Sequence, residues 1–480
     1  MSKVKNYKEE MEEIMPKKYH IHPKVTPLEM EYIYKFKITR GENCINCGRC
    51  TKVCIYEAHK RRADDQRIMA EPHTVVCRNC FRCIQECPRG ALEKSLQQDF
   101  VNISGSYWKA DMFLTLWKQA EDGKVPVTGA GYRGPFTGAG FDSMWTDMSE
   151  IVRPTRDGIH GREYINTGVE LGRKHNHLAF DAEGRLLTLP HPTVDIPIPI
   201  LFDIPPVQLS PNVMLALVKA ASEINTCVIL PAADIKPEFN TYSANIIPFL
   251  TEGEIDKYAD ILKNARLVAI DYTDALPDKL AGIKERIKNI SKAVTIIRVP
   301  AISGIEGIVS KLVNSGAEVI HIVADYRGLE INKDKEANFK PRLMKDIIRS
   351  VHLQLVEERI RDEVTLIFSG GMAMAEHVPK SMLCGGDLTA IDMPLFIALG
   401  ARLYEVPEKL LLLPDGLEKL SVNIITQRIV NLMGAWHSQI LEMMGAMGIR
   451  EARRLRGETG RAIFFEEIDQ ETFGKLFKQN

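Results

Sequence analysis

Val294-Thr295-Ile296-Ile297-Arg298-Val299 is a short β-branched run, Ile305 to Ser315 a helix-like segment, and Glu318-Val319-Ile320-His321-Ile322-Val323 a second run of the first kind. β-Branched side chains suit a pleated surface. A strand, a helix and a strand in this order form one parallel unit. Outward from it the same rhythm continues. Strands are expected at Ile198 to Ile204, Thr226 to Leu230, Asn245 to Leu250, Leu267 to Asp271, Thr365 to Ser369 and Leu388 to Asp392. Helix-like stretches lie between them: Pro211 to Glu223 with Ser210 as its cap and proline at the first helical position, Ile255 to Asn264, and Arg342 to Glu358. Eight alternations favour a (β/α)8 TIM-type barrel over an open doubly wound sheet.

The chain has 480 residues, 45% hydrophobic and 26% charged, with a net charge of −1. That is room for a large barrel and a small appended module. The balanced charge argues against nucleic-acid binding. No apolar run reaches the roughly 18 residues of a membrane span, and the first fifteen residues do not form an apolar leader, so a cytoplasmic location is expected.

Ten cysteines are present, and eight of them lie between Cys44 and Cys87, leaving Cys227 and Cys384 outside. The eight form two runs, Cys44-x-x-Cys47-x-x-Cys50-x-x-x-Cys54 and Cys77-x-x-Cys80-x-x-Cys83-x-x-x-Cys87-Pro88. Both match the bacterial ferredoxin pattern, in which three cysteines of one run and the fourth of the other hold a 4Fe-4S cluster. One cluster is therefore assigned to Cys44, Cys47, Cys50 and Cys87, and the other to Cys77, Cys80, Cys83 and Cys54. The module is of the α+β bacterial-type 2[4Fe-4S] ferredoxin class. Structural zinc and disulfides are the competing readings, and zinc sites rarely use two consecutive runs of this kind. Arg49, Lys52, Lys60, Arg61, Arg62, Arg78, Arg82 and Arg89 are interleaved with the motifs. They either raise the cluster potentials and guide an acidic redox partner, or simply balance anionic clusters.

The chain divides on this reading into a charged helical lead-in over 1–38, the ferredoxin domain over 39–98, a linker and pre-barrel segment over 99–195, the barrel over 196–410, and a helical segment and tail over 411–480. A helix is expected from Ser104 to Trp117, loop over the glycine-rich stretch 129–140, helix from Leu420 to Met447, and an irregular tail from about 455. At the barrel's C-terminal face, Ser369-Gly370-Gly371 after the seventh strand offers backbone N–H groups to a phosphate. Gly385-Gly386-Asp387 precedes the eighth strand and Asp392-Met393-Pro394 follows it. Arg298 is placed either beside an electron-rich flavin ring or in an ion pair within the mouth.

Three stretches resemble the glutamate synthase family, specifically the archaeal-type members that join an FMN-binding synthase domain to a two-cluster ferredoxin module. They are Phe141 to Arg153 with Arg162-Glu163-Tyr164-Ile165 and Leu171-Gly172; Val294 to Val299 with Gly304 to Gly307 and Gly316 to Ile320; and Ser369-Gly370-Gly371 to Leu399-Gly400. The resemblance implies FMN at Arg298, Ser369, Gly370, Gly371, Gly386 and Ile391, and reduction of the imine formed from 2-oxoglutarate and ammonia. The sequence departs from the family in four places. Residues 259–288 lack the glycine-rich loop, no cysteine motif follows Cys384, Arg298 replaces a lysine, and Asp392 replaces a glycine of the phosphate loop, where a carboxylate repels phosphate unless it turns away.

Two functions compete. One is an iron–sulfur, flavin-dependent oxidoreductase passing electrons from the clusters to FMN; the other is a non-catalytic relay subunit with a degenerate barrel. Either requires a redox partner: an NAD(P)H-oxidising flavoprotein, a ferredoxin or a larger electron-transfer complex. The chain begins Met1-Ser2-Lys3, without the cysteine nucleophile of a glutaminase, so ammonia is expected from a separate glutaminase subunit or from solution. Anaerobically purified protein should carry about eight irons per chain with broad iron–sulfur absorbance; zinc without iron would contradict the cluster assignment.

Overall fold

The computed structural model describes residues 19–477 apart from 29–32, 74–75, 104, 126, 129–130, 133–137, 149–164, 175–177, 188–190, 205–208, 334, 336–337, 407, 413–416 and 418–419. Eight parallel strands close into a barrel: Ile200–Phe202, Val228–Pro231, Ile246–Leu250, Leu267–Asp271, Val294–Pro300, Val319–Val323, Thr365–Ser369 and Leu388–Ile391. The ring is sealed where Thr389, Ala390 and Ile391 pair with Ile200, Leu201 and Phe202. The strand runs are apolar along their length because both faces are covered, one by the interior of the barrel and one by the helices. Leu267 to Ile270 and Val319 to Ile322 are completely buried.

The expected strands are all present, and most helices begin and end close to where the sequence places them. Pro211–Glu223 starts as read, but the Ser210 hydroxyl makes no capping bond, so proline's fixed φ is the operative start signal. Between the third and fourth strands the helix shrinks to Ala259–Leu262, because Thr251 and Glu254 form a capping box that turns the chain one step earlier. The helix placed over Ser104–Trp117 instead spans Ala110–Asp122, ending at Gly123 in the left-handed region. The tail is also more ordered than expected. Ala462–Phe464 pairs with Met144–Thr146, and Phe465–Phe477 is helical. The glycine-rich stretch includes a two-residue pairing of Val127–Thr128 with Gly131–Tyr132. The motif Arg162-Glu163-Tyr164 lies outside the described residues.

In the lead-in, residues 19–28 form neither helix nor strand. Pro23 and Pro27 interrupt the helical hydrogen-bond pattern there. The strip lies along the C-terminal helix Val422–Ala446, where Asn431 copies a peptide group. Lys24 N–H donates to its Oδ1 at 2.8 Å and its Nδ2 donates to Lys24 O at 2.7 Å. Arg428 of the same helix is fully buried and donates to the carbonyls of Ala398, Thr26 and Trp117, bolting barrel, strip and Ala110–Asp122 together.

The ferredoxin module rests on an antiparallel pair, Phe36–Arg40 with Leu92–Leu96, over a small core of Ile38, Met69, Leu92, Cys50 and Cys83. Such a core is too small to stabilise the module well without metal.

Glycine is required at the end of the seventh strand for packing. A Cβ on Gly371 would lie 2.6 Å from the backbone of Gly328, and φ is +67°. Gly371→Ala should lower barrel stability by about 3 kcal/mol, through left-handed strain and backbone overlap together. Gly316→Ala, also at positive φ but with open space around it, should cost only about 1–2 kcal/mol. Denaturant midpoints of the two variants check the difference; equal losses would show that the approach to Gly328 is not tight.

Candidate functional site

Each cysteine run presents its thiols from a tight turn followed by a single helical turn. Asn46 and Asn79 adopt the left-handed conformation, as do Gly48 and Phe81, which start the short helices Arg49–Val53 and Arg82–Gln85. Two clefts open to solvent result. One is lined by Cys44, Cys47, Cys50 and Cys87, the other by Cys54, Cys77, Cys80 and Cys83. These are the crossed quartets expected from the spacing. None of the eight cysteines forms a disulfide. Four sulfurs around a void suit a cubane better than zinc.

Sulfur-directed donors complete the cradles. Ala58 N–H reaches Cys54 Sγ at 3.3 Å and Ala91 N–H reaches Cys87 Sγ at 3.2 Å. Burial pushes the Cys83 thiol up to about 11, with Cys77 and Cys80 adding like-charge repulsion. Burial acts the same way on Cys87, but the backbone N–H groups of Arg89, Ala91, Leu92 and Gly90 outweigh it and hold that thiol below the usual range. A bound cluster supplies the positive charge that a quartet of thiolates needs.

At the C-terminal mouth of the barrel, Arg298 forms a bidentate pair with Asp203, Nη1 to Oδ1 at 2.5 Å and Nη2 to Oδ2 at 3.2 Å. Asp203 follows the first strand directly, and its N–H bonds to Ile391 O across the barrel seam. Arg298 Nη1 also donates to His321 Nδ1 at 3.2 Å, so the imidazole proton sits on Nε2, 2.9 Å from Ser369 Oγ. Burial would raise the Asp203 carboxyl, but Arg298 and His321 together bring it below the usual carboxylate range. Burial, assisted by Arg298 against the pull of Asp203, holds His321 down at about 3. Arg298 itself lies over the Phe249 ring at 5.5 Å and keeps a partly open face towards the mouth.

The other proposed cofactor residues fall into two groups. Gly386 packs on Phe368, and Ile391 is fully buried in the seam. Gly370 and Gly371 pack against the Ala324–Gly328 loop, with Tyr107 donating its hydroxyl hydrogen to Gly371 O and Trp108 Nε1 donating to Tyr326 O at 2.9 Å. Gly370, Gly371 and Met372 are buried directly after the seventh strand, the position at which barrels of this kind commonly bind phosphate. Asp392 is turned aside: its carboxylate caps the next helix, accepting from Met393 N–H at 2.6 Å. That removes the carboxylate as an obstacle and also uses up that helix's N-terminus.

Sequence reading missed Asp203, His321, Tyr107 and Arg40. Two of these had a visible signal. Asp203 is a carboxylate at a strand's C-terminal end, and His321 interrupts an otherwise apolar strand.

Residues 43–101 match the family described as 4Fe-4S dicluster domain, and residues 275–450 match the conserved region in glutamate synthase. The chain is 25% identical over 502 residues to an archaeal glutamate synthase (NADPH) of Archaeoglobus fulgidus, covering 91% of this chain and 95% of that one. An archaeal-type glutamate synthase (NADPH) of Dehalococcoides mccartyi is 25% identical over 487 residues, covering 88% and 94%. That of Methanocaldococcus jannaschii is 22% identical, covering 92% and 97%. Among solved structures, a mandelate oxidase mutant with an FMN adduct is similar at a TM-score of 0.41 and 10% identity, covering 74% of this chain and 93% of that one.

His321 gives the mouth a pH dependence. The unfolded imidazole titrates near about 6.5 and the folded one near about 3, so between those values the unfolded chain binds the extra proton and stability falls as pH falls. His321→Gln, which can still accept from Arg298 and donate to Ser369, should lose less stability than wild type between pH 6.5 and 4.5. Equal stability losses in the two proteins, measured by denaturant titration at the two pH values, would show that His321 is not the buried neutral group described.

Proposed function

From this chain's homology to the archaeal-type glutamate synthases, we propose that it is an iron–sulfur, FMN-dependent oxidoreductase whose barrel reduces a small substrate with electrons received from two 4Fe-4S clusters. The observation that carries the reading is the presence in one chain of two four-thiol cradles and a closed eight-stranded parallel barrel whose mouth holds Arg298. FMN supplies the chemistry of taking electrons singly from clusters and giving them up as a hydride.

The chain's own residues would do the rest. Gly370, Gly371 and Met372 hold the phosphate through their N–H groups, while Tyr107 and Trp108 brace that loop and its neighbour from behind. Arg298 supplies positive charge at the mouth, and Asp203 and His321 fix its direction. His321 keeps its single proton towards Ser369, so it orients and does not exchange protons at neutral pH. The finer reading is reductive amination of 2-oxoglutarate with ammonia. The electron donor would be an NAD(P)H-oxidising flavoprotein, a ferredoxin or a larger electron-transfer complex, and a separate glutaminase subunit would provide ammonia. No helix among the described residues is long and apolar enough to cross a membrane; we place the protein in the cytoplasm.

Protein purified anaerobically and then denatured should release FMN in equal amount to the chain. With reduced viologen, ammonium and 2-oxoglutarate it should form glutamate. Absence of flavin would overturn the FMN reading; flavin without glutamate would overturn the substrate while leaving the oxidoreductase.

A further inference from the structure

The two cysteine runs repeat position by position. Cys44, Cys47, Cys50 and Cys54 correspond to Cys77, Cys80, Cys83 and Cys87, the left-handed Asn46 to Asn79, and Ala58, whose N–H donates to a cysteine sulfur, to Ala91. Surface arginines also match in number, with Arg49 and Arg89 on one cradle and Arg78 and Arg82 on the other.

Among the cations, one points at the sulfurs of a single cradle. Arg40, at the end of its strand, points Nη1 at Cys44 Sγ, 3.3 Å away, and at Cys50 Sγ, 3.9 Å away. Its Nε and Nη2 donate to Ala70 O at 3.2 and 3.0 Å, which holds the guanidinium in place. It reaches the second cradle only through the His59 ring, 3.5 Å from Nη2. The repeat counterpart of Arg40 is His73, which is exposed and does not line the second cradle.

A cluster gains negative charge on reduction, and a fixed cation hydrogen-bonded to its sulfurs stabilises the reduced form. We propose that Arg40 makes the two clusters inequivalent, so that the first electron taken from a low-potential one-electron donor rests on the cluster held by Cys44, Cys47, Cys50 and Cys87. The inference rests on the 4Fe-4S reading of these cradles.

The two cradles also differ in position. The second cradle includes Phe81, whose ring meets Phe36 at 5.2 Å, and the neighbouring Lys35 pairs with Asp111 of the helix Ala110–Asp122 that packs against the barrel. The cradle with Arg40 lies at the other end of the strand pair. An electron resting there lies at the strand end away from the Lys35–Asp111 contact with that helix.

Anaerobic titration with dithionite under potential control, read by electron paramagnetic resonance, tests this. Wild type should reduce in two separated steps. Arg40→Gln should move the first midpoint down by at least tenfold in the equilibrium constant, about 59 mV for one electron, and leave the second in place. Arg40→Lys, which keeps the charge, should restore most of the shift. In wild type labelled with 15N-arginine, the half-reduced spin should couple to guanidinium nitrogen, and that coupling should vanish in Arg40→Lys. Unchanged midpoints in an iron-loaded Arg40→Gln protein would overturn the inference. If that variant fails to hold iron, absence of the 15N coupling in wild type overturns it. Wild type that binds no iron would overturn the cluster reading first, and the inference with it.

Discussion

Closure of the barrel between Leu388–Ile391 and Ile200–Phe202 is the constraint on which the rest of the structure depends. At that seam Ile391 O accepts the N–H of Asp203, which fixes the carboxylate at the mouth. The carboxylate then holds Arg298 from the opposite side of the ring, Arg298 sets the tautomer of His321, and His321 donates to Ser369 at the end of the seventh strand. A charge pair this deeply buried contributes little net stability, since desolvation offsets most of its attraction. Its consequence is positional: removing Asp203 would leave Arg298 without its fixed partner.

The ferredoxin module depends on a different constraint. Each quartet takes three thiols from one run and one from the other, so neither cradle exists until both runs are in place. The apolar core between them is only a handful of side chains, and Cys83 is driven towards its neutral form by burial and by its neighbours. Iron loading and folding of this module are therefore coupled, with protons released as the thiols become ligands.

Much of this was legible in the sequence. Apolar strand runs such as Leu267 to Asp271 and Thr365 to Ser369 announce buried parallel strands because they are short, continuous and bounded by helical stretches. The cysteine spacing announces crossed ligation because a cubane needs a fourth thiol from elsewhere. What the sequence withheld depends on groups far apart in the chain. Arg298 could be read as a flavin neighbour or as half of an ion pair, and only closure shows that Asp203, ninety-five positions earlier, is its partner. Asp392 looked like an obstacle to phosphate because its side chain's turn onto Met393 N–H is a matter of one torsion. Gly370 and Gly371 were read as approach points for a ligand, whereas their lack of side chains also serves the close pass of the Ala324–Gly328 loop. Arg40 carried no motif at all; its meaning comes from where the strand ends.

The central claim is that electrons reach the barrel through the cysteine cradles. Its most direct test is stopped-flow mixing of flavin-loaded protein with reduced viologen, following cluster and flavin absorbance together, in wild type and in Cys80→Ser. In wild type the clusters should bleach first and the flavin follow, and the flavin step should slow by orders of magnitude in the variant. Flavin reduction at the same rate in both proteins would contradict that claim.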